Sequence, residues 1–252
     1  MYLTSELGLN SGGVYKMGRY LDRSNIHEEE IVNFKYINGK LDIMNDILNP
    51  RKKPVNVGSG CGKSGTRSEA EKKKANKMFW KVWKELPDNS IIVGTDGSSN
   101  SNADKDERYG GAGGTIWFGK YDLAPVIFSC PLGIGSNNEG EMSAIGIACG
   151  LLNDKYGDRI DELKEKSKSD VVEVHIFSDS DYSIGILSRN SKVKSNKCLC
   201  NWVKLEYIKL SKLNSIGGIS MHWVAGHVGV ILNELADRLA DVGREIINGT
   251  GS

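Results

Sequence analysis

The sequence predicts an α/β domain, a five-stranded mixed sheet flanked by helices and preceded by an N-terminal extension. Three observations carry that expectation. Short apolar runs bounded by turn residues recur at Ile91–Val93, Thr115–Phe118, Pro125–Cys130, Val171–Phe177 and Ile219–Val224, as strands do. Between the third and fourth runs, and again after the fourth and the fifth, apolar residues return at helical spacing instead. The resulting order is three strands, helix, strand, helices, strand, helix, which suits strands of both directions with helices packed on them.

Residues 1–70 form the extension. Gly and Ser interrupt its opening (LNSGG). Residues 31–49 hold enough apolar side chains for a small packed element, and residues 49–68 have the Gly, Ser, Pro and Lys content of a linker. Within that linker GSGCGKS invites a phosphate-loop reading, but Val57 stands where the first glycine belongs and no strand precedes it. Residues 71–88 are read as a Lys-rich helix leading into the core, with Ser68 as its N-cap and Pro87-Asp88-Asn89 ending it. Lys72, Lys73, Lys74 and Lys77 offer phosphate contacts or simply a solvated face.

The core is expected over residues 89–247. After the first strand, Asn100–Gly114 reads as a long polar hairpin loop. Met142, Ile145, Ala148 and Leu152 mark a helix from about Asn138. Asn153–Asp170 reads as a charged insertion, Asp181–Ser188 as a short helix and Asn190–Cys198 as a basic loop. Trp202, Leu205 and Ile208 suggest a further helix, and Asn233–Ile246 the last one.

At 252 residues, 39% hydrophobic and 26% charged, the composition is that of an ordinary globular protein and excludes a disordered one. The net charge of +1 does not advertise a nucleic-acid binder. Apolar runs fall far short of the ~20 residues of a membrane span. Met1–Asn10 lacks a basic region followed by an apolar one, so no export signal is expected and the chain is expected to be intracellular. The five cysteines are then expected as reduced thiols.

Four carboxylates carry the chemistry: Asp96 in IIVGTDGSS, Glu141 in NNEGEMSAI, Asp179 in VHIFSDSDY and Asp237 in NELADRLAD. Two end strands and two lie in helices. Acids gathered from distant segments repel unless a cation joins them, and hard divalent ions prefer oxygen ligands. Glu139 and Glu141 point in nearly opposite directions on a helix, so only one can face a cleft shared with Asp96. Asp179 competes with Asp181 in the same way.

The order and wording of these segments resemble the type 1 ribonuclease H family, over roughly Asn89 to Glu245. The resemblance includes Thr95-Asp96-Gly97-Ser98, Asn137-Asn138 with Glu141, Ser178-Asp179-Ser180, His222 through Gly229, and Asn233-Glu234 with Asp237. The last block looks most like the ribonuclease H domains of non-LTR retrotransposons and their cellular relatives. The fold implied is the ribonuclease H-like one.

The resemblance selects Glu141 over Glu139, which is left as a helix-start acid, and Asp179 over Asp181. It makes Asp96, Glu141, Asp179 and Asp237 catalytic residues and ligands of two Mg²⁺ (or Mn²⁺) ions, and gives His227 a part in proton transfer or product release. His222 and His175 are read as packing, Glu234 as holding the preceding loop and Asp241 as solvated. The implied activity is two-metal hydrolysis of the RNA strand of an RNA–DNA hybrid, leaving 5′-phosphate and 3′-hydroxyl ends. Contacts to the RNA 2′-hydroxyl are expected at Gly97, Ser98, Ser99, Asn137, Asn138, Ser180 and Asp181, the last reading equally as a helix cap.

Bacterial members often carry a basic, Trp-rich protrusion that Asn190–Cys200 does not reproduce. A rival reading is a catalytically silent scaffold in a ribonucleoprotein or retroelement assembly, which lost acids would signal; all four are present. Residues 1–70 are where a protein partner or a parent polyprotein would attach.

Overall fold

The computed structural model describes residues 68–100, 108–122, 125–188 and 192–249, so the expectations for residues 1–67, the rejected phosphate loop among them, lie outside the described residues. The elements are α1 (Glu69–Glu85), β1 (Ile91–Ser99), β2 (Tyr109–Phe118), β3 (Val126–Ile134), α2 (Asn137–Asp154), α3 (Gly157–Ser167), β4 (Val172–Ser178), α4 (Asp181–Ser188), α5 (Lys197–Ser211), β5 (Ile216–Trp223) and α6 (Ile231–Gly249). The sheet order is β3-β2-β1-β4-β5. The first three strands pair antiparallel, and β4 runs parallel to both β1 and β5.

Strand β1 lies third from each side, at the centre of the sheet, and its first half is apolar toward both faces. Ile91 and Val93 enter a cluster with Met142, Ile145 and Trp202 of α2 and α5. Ile92 enters a second cluster with Leu232, Leu235 and Leu239 of α6 and with Phe79 and Trp83 of α1. A strand buried on both faces reads as a continuous apolar run, which is why Ile91–Val93 was legible.

Three expectations need correction. The hairpin loop is shorter than expected, since Tyr109–Gly114 belongs to β2. Its glycines disguise a strand because α6 lies so close: a Cβ on Gly111 would stand 2.1 Å from the Ala240 carbonyl oxygen, and one on Gly113 2.2 Å from the Ala240 nitrogen. The charged insertion contains α3, whose apolar residues Ile160 and Leu163 are buried beneath a polar exterior. Helix α5 begins already at Lys197 and buries Leu199, Trp202, Val203, Glu206 and Leu210, while Ile208 is exposed. Buried Glu206 accepts from Asn153 Nδ2 at 2.9 Å and pairs with Lys209 Nζ at 3.1 Å, which is how a charged residue sits in an otherwise apolar stripe.

Helix α1 forms as expected, with Ser68 and Glu71 in a reciprocal capping box. Among the described residues, four cysteines are free thiols, and no helix is long and apolar enough to cross a membrane.

Candidate active site

The adjacent antiparallel and parallel pairings of β1 place its C-terminal half beside the end of β4. Asp96 therefore stands close to Asp179, the first residue after β4. Helix α2 brings in Glu141. It can approach because residue 97 is glycine: a Cβ there would lie 2.1 Å from the Glu141 nitrogen and 2.5 Å from the Gly140 carbonyl carbon. The helix starts where Ser136 and Glu139 form a second capping box, so Glu139 is a buried structural acid turned away from the carboxylates.

Asp96, Glu141 and Asp179 each offer a carboxylate oxygen, and these oxygens lie within 4.8 Å of one another. Asp237 is not in that trio. It stands beside it on α6, close enough for its charge to act on Asp96 and to feel Asp179. His227 joins Asp237, Nδ1 to Oδ2 at 3.7 Å, from a half-exposed position.

Neighbouring side chains and backbone groups fix each acid. Asp96 Oδ1 accepts from Gly97 N at 2.7 Å, and its Oδ2 accepts from Asn233 Nδ2 at 3.3 Å. Glu141 Oε1 accepts from Asn137 Nδ2 at 2.8 Å and its Oε2 from the Ser180 hydroxyl at 2.5 Å. Ser183 N in turn donates to Ser180 Oγ at 3.1 Å. The Trp223 indole N–H donates to the Asp179 carbonyl at 3.2 Å. A Cβ on Gly226 would stand 2.1 Å from Asp179 Oδ2, so only glycine lets the His227 loop pass there.

The electrostatics follow from this crowding. Burial, then the charges of Asp179 and Asp237, hold the Asp96 carboxyl well above the usual carboxylate range, against the opposing Gly97 N–H. Burial pushes Glu141 up to about 7, with Asp179 adding to it and the Ser180 and Asn137 hydrogen bonds working the other way. Burial likewise raises Asp237 to about 6, with the charge of His227 opposing. Such a donor set is unfavourable as bare anions and fits a hard divalent cation, whose charge removes the repulsion.

The other expected residues are distributed around this group. Asn138 and Asp181 are exposed at the starts of α2 and α4, and Ser99 is half-buried at the end of β1. Ser98 is turned inward, donating to Asp241 Oδ1 at 2.5 Å and accepting from Arg244 Nη1 at 2.7 Å. Asp241, expected to be solvated, is thus held by Ser98 and by Arg244 at 3.0 Å. Glu234 does hold the preceding loop, accepting from Gly229 N at 2.8 Å. His222 and His175 pack as expected: their ring nitrogens lie 3.1 Å apart, His222 stacks on Phe177, and burial lowers His222 to about 4.

The supporting roles of Asn233, Ser183, Trp223 and Gly226 were not legible. Trp223, Gly226 and Asn233 lie inside the motif segments quoted above, which gave them no role of their own, and Ser183 had only its place three residues after Ser180.

The family model described as RNase H matches residues 88–245. A Ribonuclease H of Ruthia magnifica subsp. Calyptogena magnifica is 29% identical over 169 residues, covering 64% of this chain and 99% of its own. A Ribonuclease HI of Rickettsia prowazekii (strain Madrid E) is 32% identical over 170 residues, 63% of this chain and 93% of its own. Among solved structures, LC11-RNase H1, isolated from compost by a metagenomic approach, is 22% identical with a TM-score of 0.47, over 64% of this chain and 99% of that one.

Proposed function

The chain belongs to the ribonuclease H family, hydrolases that act on RNA–DNA hybrids, and from that premise we propose that it cuts the RNA strand at the carboxylate cluster by two-metal-ion catalysis, leaving 5′-phosphate and 3′-hydroxyl ends. The observation that carries this reading is the convergence of Asp96, Glu141 and Asp179 from β1, α2 and the end of β4, with oxygens within 4.8 Å. These three, with Asp237, would hold two Mg²⁺ or Mn²⁺ ions. Bound there, the ions supply the positive charge that acidifies a water and offsets charge on the leaving 3′ oxygen.

The chain's own residues do the rest. Asn137, Ser180 and Asn233 aim the carboxylates, and such outer partners matter nearly as much as the ligands they orient. His227, half-exposed beside Asp237, moves a proton or helps the product leave. The exposed Asn137, Asn138 and Asp181, with Gly97, Ser98 and Ser99, form the rim that meets the hybrid and its 2′-hydroxyls. Ser180 is buried with its hydroxyl on Glu141, its N–H on Ser178 Oγ and its carbonyl on Ile184 N, so it would serve the hybrid through the acid it orients, and Ser98, bonded to Asp241 and Arg244, through the rim it holds. Residues 89–247 are the catalytic domain in this reading, with 71–88 leading into it and 1–70 as an extension.

The test is end-group analysis of a hybrid cut in Mg²⁺. RNA fragments with 5′-phosphates and 3′-hydroxyls are expected. Cyclic or 3′-phosphate ends would refute the mechanism, because they require attack by the RNA's own 2′-hydroxyl.

A further inference from the structure

Helix α1 lies outside the residues matched to the family, 88–245, yet one of its side chains reaches the loop that carries His227. Asn76 Nδ2 donates to the Val228 carbonyl oxygen at 2.7 Å and to the Lys72 carbonyl oxygen at 3.2 Å. With both partners carbonyls, the amide fits only one way round, since the opposite orientation would set its oxygen against them. That oxygen is buried without a hydrogen-bond partner, a penalty an apolar side chain would not carry. Packing alone does not account for an amide here. The direction of its donor does.

The loop needs such support. His227 has φ 53° and Gly229 φ 81°, so the backbone is left-handed on both sides of Val228, a region that side-chain-bearing residues enter rarely. Glu234 of α6 holds the loop at the Gly229 nitrogen, at 2.8 Å. Asn76 of α1 holds it at the Val228 carbonyl, and around that bond Phe79 and Trp83 share an apolar cluster with Val224, Ala225, Val228 and Val230.

We propose that Asn76 is a positioning residue: through Val228 it keeps the His227 ring beside Asp237, which makes α1 part of this chain's catalytic apparatus. The proposal rests on the reading of His227 given above.

The test measures kcat and KM on an RNA–DNA hybrid in Mg²⁺, with melting temperatures, for the full chain and for Asn76→Leu, His227→Ala and the double variant. Leucine approximates the size of asparagine but removes both the donor and the stranded oxygen. Asn76→Leu is expected to lower kcat about tenfold, the scale of a misplaced catalytic group. KM should stay within about twofold, because substrate binding is not what is lost. The melting temperature should fall by no more than about 5 °C, because the Val228 carbonyl loses its donor while the stranded amide oxygen goes too, and in the His227→Ala background the second change should lower kcat no further. An unchanged kcat, or an equal loss in both backgrounds, overturns the proposal, as does a loss accounted for by unfolding at the assay temperature. If His227→Ala alone leaves kcat intact, the reading of His227 falls and the proposal falls with it. If His227→Ala lowers kcat and Asn76→Leu does not, only the role of Asn76 is refuted. Should Asn76→Leu fail to fold, Asn76→Ala, which also lacks the amide donor and favours the helix, takes its place under the same expectations.

Discussion

Replacing Glu141 by glutamine should stabilise the protein when divalent ions are removed. Glu141 is raised from an ordinary 4.5 to about 7, chiefly by burial. It therefore binds its proton more tightly in the folded chain than in the unfolded one. The resulting stabilisation is complete below pH 4.5 and lost as the pH rises through about 7. Above that, the folded state carries a buried anion worth up to about 3 kcal/mol, taking about 1.4 kcal/mol for each tenfold change in proton affinity. Glutamine removes the charge and keeps the hydrogen bonds, because its oxygen can accept from Asn137 Nδ2 and its nitrogen can donate to Ser180 Oγ. In chelator at pH 8, Glu141→Gln should melt up to about 6–12 °C above the unmodified protein, given about 2–4 °C per kcal/mol for a chain of this size. At pH 4.5 the difference should vanish. Urea denaturation at the two pH values gives the same comparison in free energy. A variant no more stable at pH 8, or a difference independent of pH, would refute the reasoning. Adding Mg²⁺ should then stabilise the unmodified protein more than the variant, since an ion that binds only the folded state adds to its stability.

Gly97→Ala should lower stability by about 3 kcal/mol or more, read as a urea midpoint, because its Cβ would press on the backbone of Gly140 and Glu141 and no side chain there can move aside. Ser180→Ala should leave a cooperatively folded protein whose hybrid cleavage is about 10–100-fold slower, since Glu141 loses the hydroxyl that orients it. A Ser180→Ala rate equal to that of the unmodified protein would show that the hydroxyl plays no part in aiming Glu141.

The sequence was most legible where burial is simple. Ile91–Val93 is apolar throughout because helices cover both faces of the central strand, and Val172, Val174, Ile176 and Phe177 mark β4 even though Glu173 between them is exposed. It was least legible where two backbones touch. Gly110–Gly114 has the composition of a loop, yet is a strand whose missing side chains admit α6. Helix α3 was hidden because only Ile160 and Leu163 of its eleven residues are buried, too few to show a period. Among the site residues, the convergence of Asp96, Glu141 and Asp179 is in keeping with the motif reading, whose roles stay proposals. Asp241 was misread because its partners, Ser98 and Arg244, come from two different elements, one of them 143 residues away. Asn76 was invisible for the same reason, with 152 residues between it and Val228.

The reading on which the rest depends assigns the cutting of RNA paired with DNA to the carboxylate cluster. The most direct measurement is cleavage of an end-labelled RNA–DNA hybrid in Mg²⁺ or Mn²⁺, beside single-stranded RNA, double-stranded RNA and double-stranded DNA, for the full chain and for Asp96→Asn. That assignment predicts cleavage of the hybrid alone, abolished by Asp96→Asn in a protein that still folds. A folded protein that binds the hybrid but cuts nothing in either metal, or one whose cleavage survives Asp96→Asn, would contradict it.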